Sequence, residues 1–169
     1  MGFQLVTNLY DVAGDEIDKI SWVTGSDSSA LAIAKDVANI LGARFHPMQK
    51  VKAGKDEFQV WEKMVIREQE VVLHIEELIT TSTTSIRVRK GIREAHEYEI
   101  NFFPYLPVLV FRPQKGKDIS TIDNSKVVPA LSYETFVVDP KEEKCSLCAK
   151  GSKDLPAKGK NWEKLISSM

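Results

Sequence analysis

Val71-Val72-Leu73-His74-Ile75-Glu76-Glu77-Leu78-Ile79-Thr80-Thr81-Ser82-Thr83-Thr84 is the stretch from which the fold can be argued. Its first five residues form an apolar run broken only by His74, the pattern of a strand buried on both faces. Glu76 and Glu77 are expected to end that strand abruptly, and Leu78 and Ile79 to anchor the loop that follows. Five small hydroxyl residues then lead into residues 85–97, where Ile86, Val88 and Ile92 recur at helical spacing. Backbone N–H groups and hydroxyls converging at a helix amino terminus make a site for a phosphate dianion. Two carboxylates just ahead of such a cradle suit the vicinal hydroxyls of a ribose or a hydrated magnesium ion. Helix capping accounts for one of the five hydroxyls and leaves the others unexplained.

Upstream, Ile20, Trp22 and Val23 mark a strand over residues 19–24 that stops at Gly25-Ser26-Asp27-Ser28-Ser29, a run of turn and capping residues. Leu31, Ala34, Val37, Ala38 and Leu41 repeat at helical spacing, and Gly42 stands where a helix-ending glycine is expected. Residues 43–48 read as a second strand. Residues 49–57 are too charged for a core and are expected to form a mobile loop carrying Lys50, Lys52, Lys55 and Gly54, with a returning strand at 58–62. Downstream, residues 107–111 supply another buried strand, followed by Arg112. Strands alternating with helices imply an α/β fold with a mainly parallel central sheet flanked by helices. Ligands in such sheets collect at the carboxyl ends of the strands, where both polar loops fall. Residues 1–169 are expected to form a single domain with a short cysteine-containing tail.

The formal net charge of −1 gives no overall field to attract nucleic acid or an anionic membrane, so any anion site must be built locally. No apolar run approaches a spanning helix, and a cytoplasmic location is expected. The two cysteines, Cys145 and Cys148, are too few and too close for a disulfide framework; they read as reduced thiols or half of a metal site. His46, His74 and His96 have no ligand spacing, and His74 reads as a core histidine. Trp22, Trp61 and Trp162 read as packing groups.

The order of four apolar residues, two acids, two apolar residues and a threonine-rich segment resembles the motif of type I phosphoribosyltransferases, with Ser82 where the family has glycine. The resemblance implies that Glu76 and Glu77 contact the ribose hydroxyls of 5-phosphoribosyl-1-pyrophosphate and that Thr80, Thr81, Ser82, Thr83 and Thr84 hold its 5-phosphate. It implies a pyrophosphate contact for Gly25, Ser26, Asp27, Ser28 and Ser29. The chain looks most like the bacterial orotate enzymes, through Cys145-Ser146-Leu147-Cys148 and the nearby Gly151. That likeness implies Mg2+, a homodimer, leaving-group contacts from Lys50, Lys52 or Lys55 across the dimer, and a base-carboxylate contact from Arg112. The expected reaction is transfer of 5-phosphoribose to a nitrogenous base such as orotate. The alternative is a regulatory protein that binds the same donor with little or no turnover, which Ser82 and the short segment before the first core strand favour.

Overall fold

The computed structural model describes residues 1–26, 29–54, 56–114, 116–135 and 149–151, with the backbone alone at Ser29. The chain divides into two units, Met1–Thr135 and Phe136–Met169. All elements named below belong to the first. Cys145 and Cys148 lie outside the described residues.

The first unit opens with α1 (Gly2–Ala13), which passes through a 3-10 turn into β1 (Ile20–Gly25). Helix α2 (Ser29–Leu41) and the short β2 (Arg44–Phe45) follow. A hairpin of β3 (Gln49–Ala53) and β4 (Asp56–Val60) comes next, then β5 (Val71–Ile79) and α3 (Thr83–Glu94). The unit closes with β6 (Asn101–Phe102), β7 (Tyr105–Phe111), β8 (Thr121–Ile122) and β9 (Ser125–Ser132). The main sheet has the order β2-β1-β5-β7-β9-β8, with β6 beside β5. Every pairing in it is parallel except β8 with β9. The expected α/β architecture is the observed one.

Among the described residues three apolar clusters pack on the sheet; one joins Ile79, Leu106, Val108, Ile122 and Val127, and the other two seat the helices. Leu5 and Leu9 of α1 and Ile33, Ala34, Val37 and Ala38 of α2 meet Val23, Leu73 and Ile75. Alternation along the strands sends Trp22 and Val72 the other way, against Val88 and Ile92 of α3 with Met48, Trp61 and Ile66. Among the described residues no helix is long and apolar enough to cross a membrane.

Three elements differ from expectation. Strand β5 does not stop at the acidic pair: Glu76, Leu78 and Ile79 continue the ladder opposite Val108, Val110 and Phe111. Strand β7 supplies the backbone partners that carry β5 past its charges. Residues 49–57 form most of an antiparallel hairpin, with Gln49 opposite Val60 and Ala53 opposite Asp56, instead of an irregular loop. Every residue of β3 is exposed, so its lysines remain in water while β4 seats on α3. The expected strand at 43–48 shrinks to Arg44–Phe45. The segment then bends to bury Met48 beside Trp61 on the α3 side.

The hairpin sits on α3 through a glycine. A Cβ at Gly91 would lie 1.8 Å from the carbonyl oxygen of Gln59 in β4. In an open helix Gly→Ala gains about 1 kcal/mol. Here the added methyl must push the hairpin away. Gly91→Ala is therefore expected to destabilise the protein by about 2 kcal/mol in urea unfolding; an unchanged or higher midpoint would show that this seat is not needed.

At the opposite end of β5, Glu70 accepts hydrogen bonds from the Trp22 indole at 2.7 Å and the Arg67 N–H at 2.9 Å, and pairs with Arg44. Arg44 also lies 4.0 Å above the Trp22 ring. Burial pushes the Glu70 carboxyl up, but these donors and the Arg44 charge outweigh it and hold its pKa at about 2, below its ordinary 4.5. A lowered native pKa means that the ionised group adds stability above its unfolded pKa and loses that contribution as pH falls through the native value. Glu70→Gln should flatten the acid side of the stability profile between about pH 4.5 and pH 2. Parallel acid-unfolding curves for the two proteins would exclude Glu70 as a source.

Candidate functional site

Because β1 and β5 are adjacent and parallel, the loops that leave them open on the same edge of the sheet. Gly25 and Ile75 form the last registered pair, and Ser26 begins to diverge from there. Gly25 is closely packed: a Cβ there would stand 3.0 Å from the Ala30 methyl and 3.1 Å from the Ile75 carbonyl oxygen. Ser26 then donates its hydroxyl to Glu76 Oε2 at 2.8 Å.

The acidic pair divides. Glu76 is buried at 2% exposure, and its Oε1 meets His74 Nε2 at 3.0 Å on the same face of β5. Both of its carboxylate oxygens are thus engaged within the protein. Glu77 is half-buried, and its carboxylate has no hydrogen bond or ion pair among the described residues. The expected shared role of the two acids, contact with a ribose, is geometrically open to Glu77 as it stands. For Glu76 it requires exchange of a partner. His74 is a core residue as expected, although its Nδ1 and the facing Thr24 Oγ1 are buried without hydrogen-bond partners among the described residues.

Thr80, Thr81, Ser82, Thr83 and Thr84, with Leu78, Ile79 and Ser85, line a recess of about 30 Å³ at the start of α3. Ser82 has φ 63° and ψ −6°, the left-handed conformation that glycine adopts freely. This strain falls where the resembled motif has glycine. The Ser82 hydroxyl bonds the Thr81 carbonyl and does not cap α3, while the Ser82 carbonyl accepts the Ile86 N–H at 3.0 Å. The first turn of α3 therefore presents uncapped N–H groups, has no acid and carries the positive end of the helix dipole. That arrangement can hold an anion without a basic side chain, and none lines the recess.

Arg112 is exposed just beyond β7, its N–H bonded to the Ile79 carbonyl at 2.8 Å, so it stands on this same edge. Lys50 pairs with Glu57 at 2.7 Å across the hairpin, which pulls the Glu57 carboxyl down in pKa. Lys52 is exposed opposite Glu57. Neither lysine lines the recess. Asp27, Ser28 and Lys55 lie outside the described residues, as does the side chain of Ser29.

Among the described residues no group of three or more histidine, cysteine or acidic side chains could hold a metal ion. A magnesium ion needs no such cage when it arrives with a phosphorylated substrate, since one or two carboxylates and retained waters complete its shell. Half-buried Glu77 suits that limited role.

A larger cavity, about 410 Å³, opens at the other end of α3 between Arg93, Asn101, Phe102 and the Asp123-Asn124 turn. Buried Arg89 donates to the Asp123 carbonyl at 2.9 Å and Arg93 to the Asp123 carboxylate at 2.6 Å. Burial lowers the Arg89 pKa to about 10 despite Asp123. These contacts fix α3 to the β8–β9 turn. The larger recess is thus lined by residues that hold the fold together.

No family model matches the chain, and no curated protein matches it in sequence. Solved structures do match in shape. Adenine phosphoribosyltransferase from Thermoanaerobacter pseudethanolicus superposes with TM-score 0.58 at 12% identity, covering 78% of this chain and 79% of its own. Orotate phosphoribosyltransferase from Aeropyrum pernix gives 0.52 at 16% identity, with 76% and 69% covered. Helicobacter pylori xanthine-guanine-hypoxanthine phosphoribosyltransferase gives 0.52 at 9%, with 79% of each covered. The chain has the type I phosphoribosyltransferase fold. Enzymes named for orotate and for purines match alike.

The strain at Ser82 has a measurable consequence. A left-handed non-glycine residue costs about 1–2 kcal/mol, against which glycine loses about 0.4–1 kcal/mol through the freedom of the unfolded chain. Ser82→Gly should raise stability by about 0.5 kcal/mol in urea unfolding. A fall instead would show that the hydroxyl contact to Thr81 outweighs the strain.

Proposed function

We propose that the protein is a phosphoribosyltransferase that takes 5-phosphoribose from phosphoribosyl pyrophosphate and gives it to a nitrogenous base, with orotate the first acceptor to test. The observation that carries this reading is the opening of two loops on one sheet edge, the first tied to β5 between Ser26 and Glu76, with a helix-start recess of five hydroxyl residues following β5. In the reaction the bond from ribose C1 to pyrophosphate breaks, and its electron pair leaves with the pyrophosphate. A base nitrogen bonds to C1 and gives up its proton. The barrier is separation of charge, so the site must hold the leaving anion while orienting the ribose and base.

In this reading residues 80–84 anchor the 5-phosphate through backbone N–H groups and hydroxyls. Glu77 orients the ribose hydroxyls, the loop of residues 25–29 receives the pyrophosphate, and Arg112 offers a planar pair of donors to an acidic base. Magnesium, held by the pyrophosphate and Glu77, would supply charge neutralisation. Lys50, Lys52 and Lys55 would serve the leaving group of a neighbouring copy in a homodimer. A cytoplasmic location goes with soluble small-molecule substrates.

A second reading is a donor-binding sensor without turnover. The left-handed Ser82 favours it, because strain at the phosphate recess weakens what the backbone can hold. The two readings part in one experiment. Pyrophosphate release is measured from the donor with magnesium and each of orotate, uracil, adenine, guanine, hypoxanthine and xanthine, beside Glu77→Ala. Release with orotate, reduced about a hundredfold in the variant, is the expected result. Release with a purine alone would transfer the assignment to that base. Donor binding without release would establish the sensor, and absence of binding would remove both.

A further inference from the structure

The two halves of the acidic pair are built for different work. Residues of β1 and β5 pair from Ile20 with Val71 to Gly25 with Ile75, and no ladder holds the strands together beyond that point. Strand β5 runs on to Ile79 beside β7, whereas β1 ends at Gly25 and α2 begins at Ser29. The first tie across the gap is the Ser26 hydroxyl donating to Glu76 Oε2 at 2.8 Å, with both residues buried. The other carboxylate oxygen is engaged by His74 Nε2 at 3.0 Å. Two residues apart on a strand, His74 and Glu76 project from one face, so the imidazole supports the carboxylate from behind. The ring itself is fully buried, and its Nδ1 has no partner among the described residues, so Glu76 is the only hydrogen-bond partner seen to hold it.

We propose that Glu76 is a positioning residue that sets the direction of the pyrophosphate loop through Ser26, and that Glu77 alone of the pair addresses the ribose. This rests on the phosphoribosyltransferase reading only for the identity of the ligands. The strut itself is a property of the ligand-free protein. A carboxylate suits this role because it accepts from both neighbours at once. A buried hydrogen bond fixes direction better than an exposed one, since no water competes for either partner. The consequence is an asymmetry: loss of Glu76 disturbs what the first loop holds and leaves the ribose contacts in place, whereas loss of Glu77 does the reverse.

The test uses the full chain in two measurements. The first is amide hydrogen exchange without ligand in wild type, Ser26→Ala, Glu76→Ala, Glu76→Gln and Glu77→Ala. Exchange over residues 25–31 should quicken in Ser26→Ala and Glu76→Ala. It should stay near wild type in Glu77→Ala and in Glu76→Gln, whose amide can still accept from Ser26. The second is calorimetric binding of magnesium pyrophosphate and of ribose 5-phosphate as separate probes. Ser26→Ala and Glu76→Ala should each weaken pyrophosphate about tenfold, the size expected for one buried hydrogen bond, and the double variant no further. Ribose 5-phosphate affinity should hold in both and fall in Glu77→Ala. A general structural role for Glu76 would weaken both probes together and would not be rescued by glutamine. Unchanged exchange in Ser26→Ala, or an equal loss of ribose 5-phosphate and pyrophosphate in Glu76→Ala, would overturn the proposal. Because Ser26→Ala removes a single hydroxyl and leaves the His74 contact to Glu76 in place, it reports even where Glu76→Ala folds poorly. If the exchange pattern appears and wild type binds neither probe, the strut stands and the phosphoribosyltransferase reading falls.

Discussion

The parallel pairing of β1 with β5 is the constraint on which the rest depends. Their apolar runs are buried on both faces, which forces a helix onto each side and a crossover between the strands. Helix α2 leaves from one carboxyl end and α3 from the other, so the connections that must be polar emerge side by side. Had the strands been antiparallel, the two loops would stand at opposite edges. Neither would then see what the other holds. The nearness of the two loops is in this sense a by-product of packing, an adjacency that the core imposes.

Helix α3 carries the second half of that argument. Its amino terminus forms the recess, its apolar stripe of Val88 and Ile92 joins the Trp22–Val72 cluster, and Gly91 admits the hairpin. At its far end Arg89 and Arg93 grip the turn between β8 and β9 through Asp123. Both guanidiniums also lie over the Phe102 ring, at 4.7 and 5.0 Å. A helix fixed at its sheet face, its hairpin face and its end has little freedom to tilt.

Much of this was legible in the sequence where the signals were long. The apolar runs of β1, β5 and β7 and the periodicity of α2 and α3 needed only local reading, as did the polar loops between them. The far end of β5 was not legible, because adjacent glutamates look like a solvated terminus until β7 supplies a ladder and Ser26 and His74 supply partners. The hairpin misled for a similar reason: its charge argued against a core, and it is a two-stranded sheet whose lysines never enter one. Helix α1 has only Gly2, Leu5 and Leu9 buried and no side-chain cap at its start, which leaves a weak signature. Strand β9 contains Pro129, a residue that argues against a central strand. Its neighbour β8 reaches only Ser125 and Lys126, so Pro129 sits beyond the last pairing on that side. Within the site, the two-residue spacing of His74 and Glu76 on a strand is enough by itself to put both side chains on one face.

The left-handed Ser82 brings these strands of argument to one residue. Strain of this kind persists when the surroundings over-determine the backbone, and here β5 enters the turn already paired with β7 while α3 leaves it already docked. The turn has little room to relax, so serine takes a conformation that glycine would adopt at less cost. The same turn leaves the first turn of α3 without a side-chain cap beside the recess that residues 78–85 line. No basic side chain lines that recess, and the net charge of the chain is −1. An anion bound there would be recognised by the direction of backbone dipoles more than by attraction to a positive surface. Selectivity would then follow from shape, favouring a tetrahedral dianion that meets several N–H groups together over a planar carboxylate that meets fewer.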